Sequence, residues 1–374
     1  MRYTAIVIGA GPAGSTAARS LAQTDFPVLL IEKEVMPRIK PCGGALTHRA
    51  LSLLPRGFEA QIKESPKQWT FQGAHGSPVT LERNEPYCHI VERRYFDQFL
   101  ATASEAAGAQ VHDGEAVLGV EMDDQGAVVI TASSRYQADY VIAADGARGP
   151  TAKAVGFARP RMGAAMEAEV SVSPTLYQRY QGRVEIHIGQ YPWGYAWVIP
   201  RNSMLNIGVG SFRARQFPLK DRFFAFCQDI LGDSPVAPLA HPLPYRLTFA
   251  DPVRERVLFC GDAAGYMDAF SAEGIYSALR SGGLAAQAVA NAAQGHAPLT
   301  SYRDRLYQEF WPSLKSAVKM GLIFYPLAAF WSDLFRNNQA LLSDYLDVAQ
   351  GHISYHVLTR HAEHLLMSRR IFSR

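Results

Sequence analysis

The opening stretch constrains the fold more than any other part of the chain. Thr4-Ala5-Ile6-Val7-Ile8-Gly9 is a short apolar run, the pattern of a strand buried on both faces. Gly9-Ala10-Gly11-Pro12-Ala13-Gly14 follows, a GxGxxG, and then STAARSLAQ, rich in helix formers. The first glycine allows a tight turn, the second lets backbone approach a pyrophosphate, and the third lets the helix pack close to the strand. A second strand, Pro27 to Ile31, ends in Glu32, 18 residues after Gly14. A carboxylate at that distance accepts hydrogen bonds from a ribose and disfavours a 2′-phosphate. The unit therefore implies a bound dinucleotide, FAD or NAD rather than NADP. Pro12, Ala13 and Lys33 are its nearest neighbours.

Two later blocks decide between FAD and NAD. Tyr140-Val141-Ile142-Ala143-Ala144-Asp145-Gly146 runs as a strand into an Asp-Gly turn. Arg256-Val257-Leu258-Phe259-Cys260-Gly261-Asp262-Ala263-Ala264-Gly265 runs as a strand into Gly-Asp and small residues. A helix is expected from Glu273, through Gly274 and Ile275. Asp262 suits a ribityl hydroxyl, and the small residues and helix start direct backbone N–H groups toward phosphate or a ring. Taken in this order, the three blocks resemble the flavoprotein fold typified by p-hydroxybenzoate hydroxylase, which implies FAD. In that family an arginine that contacts FAD sits where Arg93 stands; otherwise Arg93 is a solvated residue at a helix start. Pro150 and Lys153 depart from the family pattern of serine and arginine.

Between the last two blocks the pattern turns to β. MEAEVSVS, RVEIHIG, YAWVIP and MLNIGVG alternate or are rich in β formers, as expected of antiparallel strands that roof a cofactor. QWTFQG and PVTLER join the same layer. The expected fold is α/β: a Rossmann-like FAD-binding domain with an inserted antiparallel β-sheet substrate domain and C-terminal helices. The FAD-binding parts are 1–65, 90–160 and 250–297; the substrate sheet is 66–89 and 161–249; a helical region fills 298–374. Tyr191, Trp193, Tyr195, Trp197 and Phe270 are the aromatic candidates for lining a substrate site. Tyr195 and Trp197 share one face of a strand, a spacing equally natural for core packing.

With Pro41-Cys42-Gly43-Gly44 after the first βαβ unit, Tyr195-Ala196-Trp197-Val198-Ile199-Pro200 in the roof, and Gly261-Asp262-Ala263-Ala264-Gly265 with Glu273-Gly274-Ile275, the chain is similar to the geranylgeranyl reductase family of flavoproteins. DVAQGHISYHVLTR, near the end, also resembles that family. Ala272, Asp268 and Arg201 depart from it, where glycine, proline and lysine are common. The resemblance implies FAD-dependent reduction of isolated carbon–carbon double bonds in a prenyl chain carried by a diphosphate, pigment, lipid or quinone. It places Cys42, Gly43, Gly44 and Ala45 against the flavin, with Cys42, Tyr195 and Trp197 as catalytic candidates. Cys42 then gates flavin reduction or delivers a proton; the competing reading is a packed thiol on a glycine turn. Arg38 and Lys40 receive a headgroup or are solvated. The external donor stays open among NADPH, ferredoxin and a quinol.

Two rivals carry different chemistry. A monooxygenase or halogenase uses oxygen at the reduced flavin, and a prenyl-lipid escort on the same fold uses no catalysis. The net charge of +3 gives no footprint for nucleic acid. Cys42, Cys88, Cys227 and Cys260 form no CxxC pair, so neither a metal site nor a disulfide framework is expected, and reduced thiols place the chain in the cytoplasm. No signal peptide precedes the first strand. Met320 to Trp331 is too short to span a membrane and contains Pro326, so a buried helical hairpin is expected. Contact with the inner face of a membrane is expected from the partitioning of prenyl substrates and from a chain end that is apolar and then basic.

Overall fold

The computed structural model describes residues 2–123 and 125–368; the terminal arginines Arg369, Arg370 and Arg374 lie outside them. The first sheet runs Val253–Arg254, Val257–Phe259, Arg135–Ala143, Arg2–Ile8, Val28–Ile31, Gln110–His112. From Val257–Phe259 across to Gln110–His112 the neighbours are parallel. Parallel strands must be buried on both faces, and Val28–Ile31 is buried at every position. A hairpin of Val117–Met122 and Ala127–Thr131 pairs with the edge of Arg135–Ala143. The helices Pro12–Ala22, Arg93–Ala106 and Ile275–Ala293 pack together over this sheet. Their approach depends on missing side chains: a Cβ on Gly282 would lie 2.2 Å from the Ala13 carbonyl oxygen.

Register puts the loops that matter at one edge. Ile8 pairs with Ile31 and with Ala143, and Ala143 pairs with Phe259. The loops that begin at Gly9, Glu32, Ala144 and Cys260 therefore leave the same, carboxyl, edge of the sheet, where ligands of open α/β sheets bind.

The second sheet has the order Leu239–Tyr245, Arg161–Ser171, Met204–Ser211, Gly194–Arg201, Arg183–His187, Gln68–Gln72, Val79–Glu82. It is antiparallel except where Arg183–His187 meets Gln68–Gln72. One face carries Ala196 and Val198 and is covered by the helix Leu219–Leu231 through Phe223, Phe226 and Cys227. The other carries Tyr195, Trp197 and Ile199 and faces a cavity. A small sheet of Ala45–Thr47, Cys88–Val91 and Ile62–Glu64 stands beside it.

The helices Trp311–Phe324, Ala328–Asn337, Gln339–Gln350 and Tyr355–Ser368 are the last elements among the described residues. The continuous helical run Ser301–Asn337 is long and apolar enough to cross a membrane by length and composition, yet 56% of its most apolar window is buried. The run is also bent. The Phe324 ring lies 6.3 Å from Trp331 and 6.0 Å from Phe335, residues that a straight helix would place about 10 and 16 Å away along its axis. Pro326 sits in the 3₁₀ turn that makes the bend, so Met320 to Trp331 forms a helical corner buried on its inner side only, with Leu322, Pro326, Leu327 and Ala329 exposed.

Candidate functional site

One cavity of about 1040 Å³ runs from the carboxyl edge of the first sheet to the aromatic face of the second. At its nucleotide end the walls are backbone. Gly9 has φ +101°, and a Cβ there would lie 2.4 Å from the Ala144 oxygen. A Cβ on Gly14 would lie closer still to the Gly9 oxygen. At Gly11 the nearest atom would be Arg38 Nη2, at 3.7 Å, so the second glycine faces open cavity at the start of the helix Pro12–Ala22. Glu32 is 4% exposed. Its Oε2 accepts from the Ala10 N–H at 2.9 Å and its Oε1 from the Glu34 N–H at 3.2 Å. Lys33 is exposed at the cavity rim beside Glu34.

A run of buried ions links this end to the KPCGG segment. Arg38 lies 3.4 Å from Glu32 and 3.1 Å from Asp97, and Asp97 accepts two bonds from Arg93 at 2.8 and 2.9 Å. Arg93 is thus neither solvated nor free: burial opposes its charge, but Asp97 and the Cys42 sulfur outweigh burial and raise its pKa. Arg38 is likewise held by two carboxylates. Lys40 donates to His241 Nε2 at 2.6 Å, and His241 stands 3.7 Å from Asp262. Burial lowers the pKa of both Lys40 and His241. Burial would raise that of Asp262, but His241 and Lys40 together hold it below the ordinary carboxylate range.

Most of the remaining expected cofactor contacts gather here, although Gly261, like Gly14, does not itself line the cavity. Asp145 and Gly146 line the cavity, although the Asp145 carboxylate turns back to accept from the Thr151 N–H at 3.0 Å. Gly261 opens the short helix Gly261–Ala264 with φ +56°. Ala45, Gly274 and Ile275 line the cavity. The helix starts at Ile275 rather than Glu273. The Glu273 carboxylate is instead drawn off to Arg49 and Thr47.

The far end is made of side chains. Tyr195 and Trp197 line it, and the reason lies across the sheet. Tyr195 is registered opposite Gly210 and Trp197 opposite Gly208. A Cβ on Gly208 would collide with the Trp197 ring, so the missing side chain lets the indole lie over the neighbouring strand. Trp197 Nε1 donates to Asn206 at 2.7 Å, and the Tyr195 hydroxyl donates to the Ser271 carbonyl at 2.6 Å. Burial raises the Tyr195 pKa, and Asp268 adds to it. Phe270 lines the cavity and packs at 5.2 Å from Phe324 and 5.5 Å from Tyr345.

Two expected substrate contacts are corrected. Tyr191 does not line the cavity; it packs at 6.4 Å from Phe217 and 6.1 Å from Phe226, on the opposite face of the sheet. Trp193 lies outside the cavity wall, stacked 3.6 Å beneath the Arg213 guanidinium. The strand begins only at Gly194, and Trp193 has φ +55°, so the alternation of Tyr195 and Trp197 does not extend back through it. The sequence reading missed most of the far wall: Trp69, Phe71, Trp331, Phe335, Leu342 and Tyr345. Trp69 and Phe71 carried a signal, since two-residue spacing puts them on one strand face. Glu167 and His241 are cavity residues that no motif marked; Lys40, expected as a headgroup contact or a solvated charge, is bonded to His241.

Residues 2–214 match the family model described as an FAD binding domain. The chain is 30% identical over 337 residues to a chloroplastic geranylgeranyl diphosphate reductase of Arabidopsis thaliana, covering 82% of this chain and 69% of that protein. It is 25% identical to a digeranylgeranylglycerophospholipid reductase of Methanocaldococcus jannaschii, covering 85% of each. A solved geranylgeranyl bacteriochlorophyll reductase-like protein of Thermoplasma acidophilum superposes with a TM-score of 0.77 at 24% identity, over 93% of this chain and 91% of that one; that likeness shows the fold. The geometry fits FAD: open space at Gly11 before a helix N-terminus, the buried Glu32 and half-buried Asp262 carboxylates, and a cavity long enough to continue past them.

Proposed function

We propose that this chain, which belongs to the geranylgeranyl reductase family of FAD-binding proteins, reduces isolated double bonds of a prenyl chain. The observation that carries this reading is the asymmetry of this cavity. Its nucleotide end is backbone and paired charge; its far end is aromatic and aliphatic. A dinucleotide held by Gly9, Gly11, Gly14, Glu32 and Asp262 would leave that far end for a ligand with no polar groups.

Reduced FAD, when bound, supplies the hydride equivalent. The chain's own residues supply the rest. An isolated alkene is a poor hydride acceptor, so holding one bond in place must carry much of the barrier, of which orientation can provide about 7–11 kcal/mol. Trp69, Phe71, Trp197 and Phe335 form an apolar wall that orients the chain and excludes water. The Tyr195 hydroxyl, fixed on Ser271 and with its pKa raised, keeps its proton. Cys42 lines the same cavity, and in this reading its thiol offers the proton. The division into a discontinuous cofactor domain and an inserted substrate sheet belongs to the same reading.

The test is mass spectrometry of the products after chemically reduced, anaerobic protein is given geranylgeranyl diphosphate. A ladder of products, each heavier by one dihydrogen, is expected. Flavin that stays reduced with no mass change excludes that diphosphate and directs the search to prenylated pigments, lipids and quinones. Flavin that reoxidises only with air and an aromatic compound overturns the reading in favour of an oxygenase.

A further inference from the structure

We propose that Glu167 and Arg201 are positioning residues that clamp the Cys42 segment to the roof sheet and so fix the depth at which its thiol meets the cavity. The argument starts from the sheet register. Glu167 is opposite Gly208, and Gly208 is opposite Trp197. Direct cross-strand neighbours share a face, so Glu167 and Trp197 both face the cavity, separated by a residue without a side chain. Glu167 is 6% exposed and its Oε1 accepts from the Cys42 N–H at 2.6 Å.

Arg201 ends the strand Gly194–Arg201 and is 3% exposed. Its guanidinium donates to the carbonyls of Val91 at 2.8 Å, Gly43 at 3.4 Å and Cys42 at 3.5 Å, and pairs with Glu169. Cys42 is thus gripped at its N–H by an anion and at its carbonyl by a cation, each from a different strand of one sheet. A second observation agrees. Gly44 has φ +74°, and a Cβ there would lie 2.7 Å from Arg201 Nη1 and closer still to the Val91 oxygen. The glycine pair of KPCGG is therefore shaped to the clamp: Gly44 clears the guanidinium, and a Cβ on Gly43 would lie 2.8 Å from Ile199 Cδ1. Burial raises the Glu167 pKa and lowers that of Arg201, and each group counters the burial of the other.

The effect on turnover rests on the proposed reduction; the positioning is read separately. Cys88, Cys227 and Cys260 are buried and Cys42 is not, so iodoacetamide labelling of FAD-loaded protein reports Cys42 alone. Arg201→Lys replaces a planar fork with a point charge that cannot span three carbonyls. With flavin still bound, the Cys42 alkylation rate in R201K and Glu167→Ala should rise about tenfold, the opening expected when one charge-assisted hydrogen bond is lost. Their kcat should fall while the alkene KM holds. Glu167→Gln keeps an acceptor oxygen and should restore the alkylation rate to within about threefold of the parent. Alkylation rates in R201K and E167A within about twofold of the parent, with only a lower Tm, overturn the proposal. Should E167A fail to fold, R201K decides by the same rate. Faster alkylation in a protein that reduces no alkene would sink the proposed reaction and leave the clamp; unchanged alkylation with active alkene turnover would do the reverse.

Discussion

At the nucleotide end of the cavity the walls are main chain, and at the far end they are side chains. Gly9, Gly14 and Gly282 bring backbone within contact of backbone, so that no Cβ fits. Glu32, Arg38, Asp97 and Arg93 then pair around the opening left by Gly11. The far end borrows from four distant segments: Trp69 and Phe71, Tyr195 and Trp197, Phe270, and the helices from Trp311 onward. The first kind of wall is specified within a few residues of sequence. The second depends on which sheet face a helix happens to cover. Substitutions at the two ends should therefore fail in different ways.

The largest effect is expected at Gly14. A Cβ there meets the Gly9 oxygen at a distance that real contacts never show, so Gly14→Ala should cost more than about 4 kcal/mol. Both flavin binding and the thermal transition should be lost. Gly11→Ala sharpens the point, since its Cβ has only ordinary contact with Arg38. The Tm without flavin should hold, while FAD affinity falls by at least about tenfold. Flavin absorbance per chain and paired melts separate the two. A G11A protein that binds FAD at full affinity would break the claim that bare backbone is the cofactor surface.

Phe335 tests the other wall. It packs at 6.3 Å from Phe71 and 6.0 Å from Phe324 and is 7% exposed. Phe335→Ala should cost about 3–5 kcal/mol in stability. Flavin content should be unchanged and the KM for a prenyl substrate higher. Lost flavin in F335A would mean that the two ends are not separable.

This contrast also explains what the sequence disclosed. Strand, GxGxxG, helix and Glu32 were readable because each residue's role is local: a turn, a close approach, a strand end. The Arg93–Asp97 pair went unread: Arg93 was expected as an FAD contact or a solvated residue, and although its i, i+4 spacing from Asp97 on a helix was available, Arg38 reaches the pair from outside the helix. The roof strands showed as alternation, and parity put Tyr195 and Trp197 together. Parity failed at Tyr191, since the left-handed Trp193 resets which face the chain presents. Trp331 and Phe335 sit four residues apart on a helix, a stripe legible as apolar. Nothing near them in sequence says that the stripe meets Phe71.

The two ends should also differ in their response to acid. Burial holds His241 below its ordinary pKa against the hydrogen-bonding pull of Asp262, and the adjacent Lys40 adds to the lowering. Below about pH 6.5 the unfolded chain binds a proton that the folded His241 does not, so stability falls as pH falls, by at most about 1.4 kcal/mol per unit for one proton. His241→Asn should flatten the decline in urea midpoint between about pH 7 and 5.5. It should not abolish it, because His89 is also lowered, by burial and then by His48. Tyr325, Tyr345 and Tyr355 at the far end are all raised by burial and contribute nothing in that range. An unaltered pH profile in H241N would show that its burial is relaxed in solution.

The smallest effect is expected where the two ends join. Ala272 has φ +58°, a conformation that costs a residue with a Cβ about 1–2 kcal/mol. It is held there by its turn: the Ala272 N–H donates to the Asp268 carbonyl at 3.0 Å, and Asp268 Oδ1 accepts from Phe270 and Ser271 at 2.8 Å each. On one side of it Glu273 reaches Arg49; on the other the Ser271 carbonyl receives the Tyr195 hydroxyl. Ala272→Gly removes the strain and adds backbone freedom to the unfolded chain, worth about 0.4–1 kcal/mol in the other direction. A net gain of about 0.5 kcal/mol remains, a Tm shift of about 1 °C or less in a chain of this size. Paired melts of parent and variant read it. A loss of stability instead would mean that the contacts of the Ala272 methyl with the aromatic cluster outweigh its strain, and that the turn belongs, by packing, to the apolar end.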